Sequence, residues 1–408
     1  MSTNPLDKAT TEEIEKFLHG NDPEEYIVSL EYGWRSGRIY KIKEYPDRGK
    51  VIESDTFIPF CWVGDLSKKN FYNGSKEQQK AAISKHGILI EKLESGDDNR
   101  LKNGLTYLIK TTKSYRDLVS FFRQGGINPW DSENRDAIMI LPPIEQYLVQ
   151  KKKRLFKGFE EYDDIHRFVF DLETTALDPE DGRIFMVGMK DNRGFEKVIE
   201  IGDSEVEESE AIYEFFDTID LLKPTIIGGY NSSNFDWNWL FKRAEILKMD
   251  TTRFKTLNPN EGYKINDGVL KLGAEIEDYK QIKIWGYNSL DIAHAVRRAQ
   301  TINSEIKSWG LKYKPVGSEG LYNIDKKFPN VYKKVGGAEI VERYLMDDLW
   351  ETMEVDGQFN QASFLLASMV PTSYERVSTM GTATLWKMLM LAWSYHRGLA
   401  VPAKESKR

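Results

Sequence analysis

Phe168-Val169-Phe170-Asp171-Leu172-Glu173-Thr174-Thr175 is the stretch on which the reading of this chain turns. The run from Arg167 to Phe170 has the composition of a strand and ends abruptly on two carboxylates one residue apart. In an extended chain alternate side chains share a face, so Asp171 and Glu173 point the same way. Two convergent carboxylates at a strand's end make a seat for a hard divalent cation such as Mg²⁺. A lone Asp-X-Glu after a strand is more often a solvated turn, so the weight falls on residues further down the chain.

A chain of 408 residues has room for two or three domains with cores of their own. Its 40% hydrophobic and 30% charged residues describe a soluble globular protein. No apolar run reaches the roughly 18 residues that a membrane helix needs, and Met1 to Asp7 lacks the basic and apolar regions of a signal peptide. Cys61 is the only cysteine, which excludes an internal disulfide and a cysteine-rich zinc site. The five histidines are scattered without ligand spacing. The expected compartment is the cytoplasm of a bacterial cell or of an infected host. A net charge of −7 argues at first against nucleic acid, but steering depends on local patches rather than on the total. Lys151-Lys152-Lys153-Arg154 with Lys157 is one candidate patch, although such runs are usually solvated helix ends.

Along the chain, Thr10-Thr11-Glu12-Glu13 opens a short helix. Tyr26 to Leu30 alternates as a strand, Ser36-Gly37 turns, and Arg38 to Tyr45 is a second strand. Thr56 to Val63 reads as a further strand, placed at an edge by Pro59. Lys76 to Lys92 reads as helical, Gly104 to Lys110 as a strand, and Ser114 to Gln124 as a helix closed by Gly125-Gly126. Pro142 to Phe156 is a helix leading into the basic run. Arg183 to Met189 is expected to pair with the Asp171 strand as a hairpin. Ser209 to Asp220 reads as a helix with Ile212, Phe215, Phe216 and Ile219 facing the core. Residues 251–288 read as a β-hairpin insertion with turn signals at 258–262 and 266–268, and Ser289 to Gln300 as a helix with Asp291 in its first turn.

Two further segments carry chemistry. Thr225 to Asn231 is a buried strand ending in glycines, which let a ligand approach the backbone. It runs through Ser232-Ser233-Asn234-Phe235-Asp236 into a helix from Trp237 to Leu247, where an isolated Asp236 reads as an N-cap. Ala338 to Asp356 is a helix carrying Tyr344 and Asp348 one turn apart on one face. Residues 358–401 read as two more helices, the last (Thr382 to His396) apolar almost all round and in want of burial on several sides.

Taken in order, Asp171-X-Glu173, Asn231-X-X-X-Phe235-Asp236 and Tyr344-X-X-X-Asp348 resemble the tyrosine-bearing branch of the DEDD 3′-5′ exonucleases, and more narrowly the amino-terminal half of a family B DNA polymerase. Outside these motifs, Phe57 to Val63 resembles that family's aromatic amino-terminal strand, and Pro142 to Asp171 its entry to the first exonuclease motif. Val377 to Thr382, with Gly398 to Pro402, is similar to its approach to the palm. The resemblance implies α/β and α+β folds: a ribonuclease H-like exonuclease domain with a mixed central sheet flanked by helices, at 136–357, and a smaller β-rich amino-terminal domain at 1–135. A helical return segment at 358–408 would pack on the amino-terminal domain and lead to a missing palm.

By the same resemblance Asp171, Glu173, Asp236 and Asp348 would hold two divalent cations, Mg²⁺ or Mn²⁺, and Tyr344 would orient the attacking water. Asn231, Phe235 and Thr174 would contact the single-stranded 3′ end of a primer–template. The activity implied is proofreading, with release of a deoxynucleoside 5′-monophosphate, and the 251–288 insertion resembles the strand-separating hairpin of some viral members. The family's polymerising motifs, Asp-X-X-Ser-Leu-Tyr-Pro and Asp-Thr-Asp, do not occur in the sequence. The expected partners are therefore DNA and a palm-bearing polymerase chain, with no membrane. A free-standing DEDD nuclease and a non-catalytic DNA-binding scaffold subunit are the competing readings.

Overall fold

The computed structural model describes residues 10–311 and 336–403. Met1 to Asp7, where a leader would stand, and residues 312–335 of the expected exonuclease domain lie outside the described residues. The chain divides into two compact units, one made of residues 1–157, 367–373 and 382–408, the other of 158–366 and 374–381.

The first unit opens with α1 (Thr11–His19), started by a capping box between Thr10 and Glu13. A three-stranded antiparallel sheet follows, β1 (Ile27–Tyr32), β2 (Ile39–Tyr45) and β3 (Gly49–Asp55). The alternation expected at 26–30 is absent: every residue of β1 is buried. Buried charge in this sheet is paired. Lys43 sits 2.5 Å from Glu24 and 3.1 Å from Glu53, and Lys41 lies 3.0 Å from Glu53. Lys153 joins the cluster at 2.5 Å from Glu24 and 2.6 Å from Asp22. Burial alone would raise Glu24, but hydrogen bonds from Lys153, Lys41 and Lys43 outweigh it and hold its carboxyl at about 2. Arg154 is buried too, its Nε donating to the carbonyls of Leu18 at 3.0 Å and Met369 at 2.6 Å. The basic run at 151–154 is therefore no open patch: two of its four charges are spent inside this unit.

A second, four-stranded sheet runs in the order β5-β6-β4-β7, with β4 (Phe60–Val63), β5 (Ile88–Lys92), β6 (Tyr107–Thr111) and β7 (Ile138–Ile140). The strand expected at 56–63 is shorter and lies inside the sheet, not at its edge. Pro59 precedes it, where no donor is required, and its carbonyl accepts the Thr111 N–H at 3.0 Å. The helix expected at 76–92 stops at α2 (Lys76–His86), because Gly87 turns left-handed at φ +60° and releases the chain into β5. Short α3 (Asn99–Lys102), α4 (Tyr115–Gln124) and α5 (Pro143–Lys151) complete the run to residue 157.

The second unit is built on a five-stranded sheet, β10-β9-β8-β11-β14. Its members are β8 (Arg167–Thr174), β9 (Ile184–Asp191), β10 (Glu196–Glu200), β11 (Ile226–Gly229) and β14 (Asn288–Asp291). The first three strands are antiparallel, while β11 runs parallel to both β8 and β14. This is the mixed, ribonuclease H-like sheet that the resemblance implies. Residues 288–291 belong to it as a strand and are not the start of a helix; α8 (Ile292–Gln300) begins only after them. The insertion is a hairpin, β12 (Tyr263–Leu272) with β13 (Glu275–Ile284). Its tip is at Gly273, φ +61°, whereas Asn266-Asp267-Gly268 lies within β12. Gly268 is needed there because the Tyr279 ring would stand 2.6 Å from any Cβ.

The alternation of β8 sorts its side chains to two faces. Phe168, Phe170 and Leu172 enter the main core with Ile212, Phe215 and Phe216 of α6 (Glu205–Leu222) and Trp237 and Leu240 of α7 (Asp236–Ile246). Val169 packs on the other side with Ile292 and Val296 of α8 and with Leu349 and Met353 of α9 (Gly337–Met369). Helix α9 is longer than the 338–356 expected, and α10 (Tyr374–Thr379) and α11 (Thr382–Arg397) follow it. Helix α9 lies close at Gly188, the β9 partner of Asp171, where an added Cβ would stand 2.7 Å from Leu345. One carboxylate fixes the register of α9 on β8: buried Asp356 accepts from Arg167 Nη1 at 2.8 Å, Asn360 Nδ2 at 2.8 Å and the Tyr162 hydroxyl at 3.1 Å. Among the described residues no helix is long and apolar enough to cross a membrane.

Removing the Asp356 carboxylate leaves a buried guanidinium short of its main counter-charge. Asp356→Ala is expected to lose about 3–5 kcal/mol in urea unfolding; a loss of less than about 1 kcal/mol would mean that the pair does not anchor α9.

Candidate active site

Strands β8, β11 and β14 run in the same direction, with Gly228 level with Val169 and Gly229 level with Asp291. Their carboxyl ends therefore lie side by side on one edge, the edge at which open α/β sheets present ligand sites. At the end of β8 Asp171 and Glu173 are half-buried while Leu172 between them is buried, as alternation requires. A bulge falls between Glu173 and Thr174, and the Thr174 hydroxyl closes the next turn by donating to the Ala176 carbonyl at 2.8 Å.

The chain leaving β11 doubles back tightly. A Cβ on Gly229 would stand 2.7 Å from the Ser232 side chain and 3.1 Å from the Phe170 carbonyl, so only glycine fits. Asn231 takes φ +61°, which asparagine tolerates better than most residues, and its side-chain oxygen accepts from Asn234 Nδ2 at 3.0 Å. Phe235 occupies the cap position of α7, half-buried with its ring centroid 6.0 Å from that of Trp239. Asp236 is thus the first residue of the helix and not its N-cap.

Asp236 is 2% exposed, and its Oδ1 has no hydrogen-bond partner among the described residues. Burial, then the like charge of Asp171, lifts its carboxyl well above the usual carboxylate range. Asp291 pushes the same way, while backbone N–H groups of Asp236 and Leu172 pull weakly back. A buried, orphaned carboxylate oxygen beside a second carboxylate fits a divalent cation, whose charge would take the place of the proton.

Tyr344 and Asp348 sit one turn apart on α9, Tyr344 half-buried and Asp348 buried. Leu345 and Leu349, between and beside them, pack toward Gly188 opposite Asp171, so α9 covers the face onto which Asp171 and Glu173 project. Among the described residues no three His, Cys, Asp or Glu side chains come together as a metal-holding group. What is assembled is the Asp171–Asp236 pair, with the Asp348 helix laid over it.

Asp291 belongs to this edge, although the sequence alone presents it only as a first-turn acid. It is the N-cap of α8 and also holds the turn after β11, accepting the N–H of Asn231 at 2.9 Å and of Ser233 at 3.0 Å. The signal that marks it is an aspartate standing directly before the apolar opening of a helix, Ile292-Ala293.

Residues 150–313 match the model of the exonuclease domain of DNA polymerase family B. That segment contains Asp171, Glu173, Asn231, Phe235, Asp236 and Asp291; Tyr344 and Asp348 lie beyond it. A DNA polymerase of Desulfurococcus sp. (strain Tok) is 25% identical over 278 residues, 66% of this chain and 34% of its own length. One from Pyrococcus glycovorans is 26% identical over 281 residues, with the same coverage. The chain spans about a third of the length of these relatives. In fold it is similar to the family B DNA polymerase of Pyrobaculum calidifontis, with a TM-score of 0.68 at 16% identity, over 94% of this chain and 52% of that one. Over residues 150–313 this chain is therefore similar to the exonuclease domain of the family B DNA polymerases.

Proposed function

We propose that this chain is the proofreading 3′-5′ exonuclease portion of a family B DNA-directed DNA polymerase of viral or phage type. It would hydrolyse the terminal phosphodiester of a DNA 3′ end and release a deoxynucleoside 5′-monophosphate. The observation that carries the reading is the pair of half-buried Asp171 and buried Asp236 at the carboxyl edge of the sheet, within the segment that matches the family's exonuclease domain. Two divalent cations, Mg²⁺ or Mn²⁺, would relieve charge on the phosphate and lower the pKa of the attacking water. Asp171, Glu173 and Asp348 would hold one, and Asp171 with Asp236 would hold the other. The Tyr344 hydroxyl would orient the water by a hydrogen bond. Asn231 and Thr174 would hold the terminal nucleotide, and the Phe235 ring would stack on or wedge against its base. A mismatched end frays more readily than a paired one and so reaches such a site more often.

The polymerising residues would belong to a palm outside this chain, for which the relatives' remaining length leaves room. A surface suited to such a partner is the stripe of Trp386, Met390 and Trp393 on α11, exposed by 56%, 50% and 39%.

The reading predicts that the protein, given Mg²⁺ and a 3′-mismatched primer–template without nucleotides, shortens the primer stepwise from its 3′ end. The double variant Asp171→Ala, Glu173→Ala should lose at least about two orders of magnitude in rate. Equal rates for the two proteins would sink the reading. Asp236→Asn should lose activity comparably yet, in EDTA, melt at a higher temperature than wild type. The sign follows from the raised carboxyl: the unfolded chain releases this proton near 3.9 while the folded chain keeps it to higher pH, so the group disfavours the fold at every pH above about 3.9. The advantage of Asp236→Asn should be largest near pH 8 and shrink as pH falls toward the ordinary carboxylate range. A variant less stable than wild type at pH 8 would contradict this.

A further inference from the structure

Asp291 does more than cap a helix. Capping α8 requires one bond, from the Ala293 N–H to Oδ1 at 3.1 Å. The same oxygen accepts the Asn231 N–H at 2.9 Å, and Oδ2 accepts the Ser233 N–H at 3.0 Å. These two bonds come from residues far back in the sequence and do nothing for α8. Both land on the turn between β11 and Asp236, one of them at Asn231, whose backbone is left-handed. The carboxylate is 1% exposed, so water offers those N–H groups no ready substitute. Close approach is built in: Gly228, beside Ile292, would bring any Cβ to 3.0 Å from the Ile292 side chain.

We infer that Asp291 is a positioning residue of this site, clamping the turn from Asn231 to Phe235 so that Asn231 and Asp236 are presented together. The inference rests on the exonuclease reading proposed above. Both Asp291 oxygens are taken up by backbone N–H groups, so it acts through the turn. Misplacing groups at a reacting centre by about 1 Å can cost 100-fold in rate.

Asp291→Asn separates the two duties. Its Oδ1 still accepts from Ala293 and Asn231, but its Nδ2 presents a donor to the Ser233 N–H. Asp291→Ala removes all three bonds. Both full-length variants are compared with wild type and with Asp171→Ala, Glu173→Ala, by amide hydrogen exchange and by turnover of a single-stranded oligonucleotide in Mg²⁺. In Asp291→Asn, exchange at 231–235 should accelerate about tenfold or more while α8 keeps its protection, and kcat should fall by about 10- to 100-fold without a matching loss of melting temperature. Asp291→Ala should also deprotect α8. Unchanged exchange at 231–235, or faster exchange with kcat intact, overturns the positioning role. A wild-type protein that shortens no oligonucleotide overturns the exonuclease reading on which the role rests, whatever exchange shows.

Discussion

Two carboxylates that repel each other, held at the end of one sheet with one of them sealed from water, are the constraint around which the second unit is arranged. Folding gains nothing from placing Asp236 beside Asp171: burial and like charge both oppose ionisation there. An arrangement that costs stability persists where it serves a site, and its support must come from elsewhere. The support is visible. Phe168, Phe170 and Leu172 lock one face of β8 into an aromatic core, and Val169 locks the other beneath α8 and α9. The Arg167–Asp356 pair sets α9 in register along the strand, and Gly188 lets the helix lie close opposite Asp171. Asp291 then ties the loop of Asp236 to the neighbouring strand.

Much of this is legible in the sequence because it depends on local patterning. Strand β8, its hairpin partner β9 and the core face of α6 follow from alternation and helical spacing. Asp171 and Glu173 share a face for the same reason. The parts that are not legible depend on partners distant in the sequence. Residues 288–291 have a helix-like context, and only pairing with β11 makes them a strand. Asn266-Asp267-Gly268 has turn composition, yet the glycine there accommodates the Tyr279 ring and the turn falls at Gly273. Pro59 suggests an edge because a proline inside a strand lacks a donor, but it stands one residue ahead of β4. The basic run at 151–154 has the composition of a surface feature, and its partners Asp22 and Glu24 lie more than a hundred residues earlier.

The same distinction separates the two halves of the candidate site. Asp171 and Asp236 are brought together by sheet topology, so their proximity is a property of the fold. Tyr344 and Asp348 arrive on a helix whose placement is set by packing at Leu345 and Leu349 and by the distant Asp356 pair. A cation bound by the first pair would therefore find its third carboxylate on an element that is anchored independently. That division gives metal binding and helix placement separate structural origins, and the central claim concerns the first of them.

The direct test of that claim is the anomalous scattering of Mn²⁺ in crystals of the protein. The account predicts an Mn²⁺ peak at the carboxyl edge of the sheet, with Asp171 as a ligand and Asp236 in its coordination sphere directly or through water. An ordered site with no Mn²⁺ between these residues, or Mn²⁺ bound only elsewhere, would contradict it.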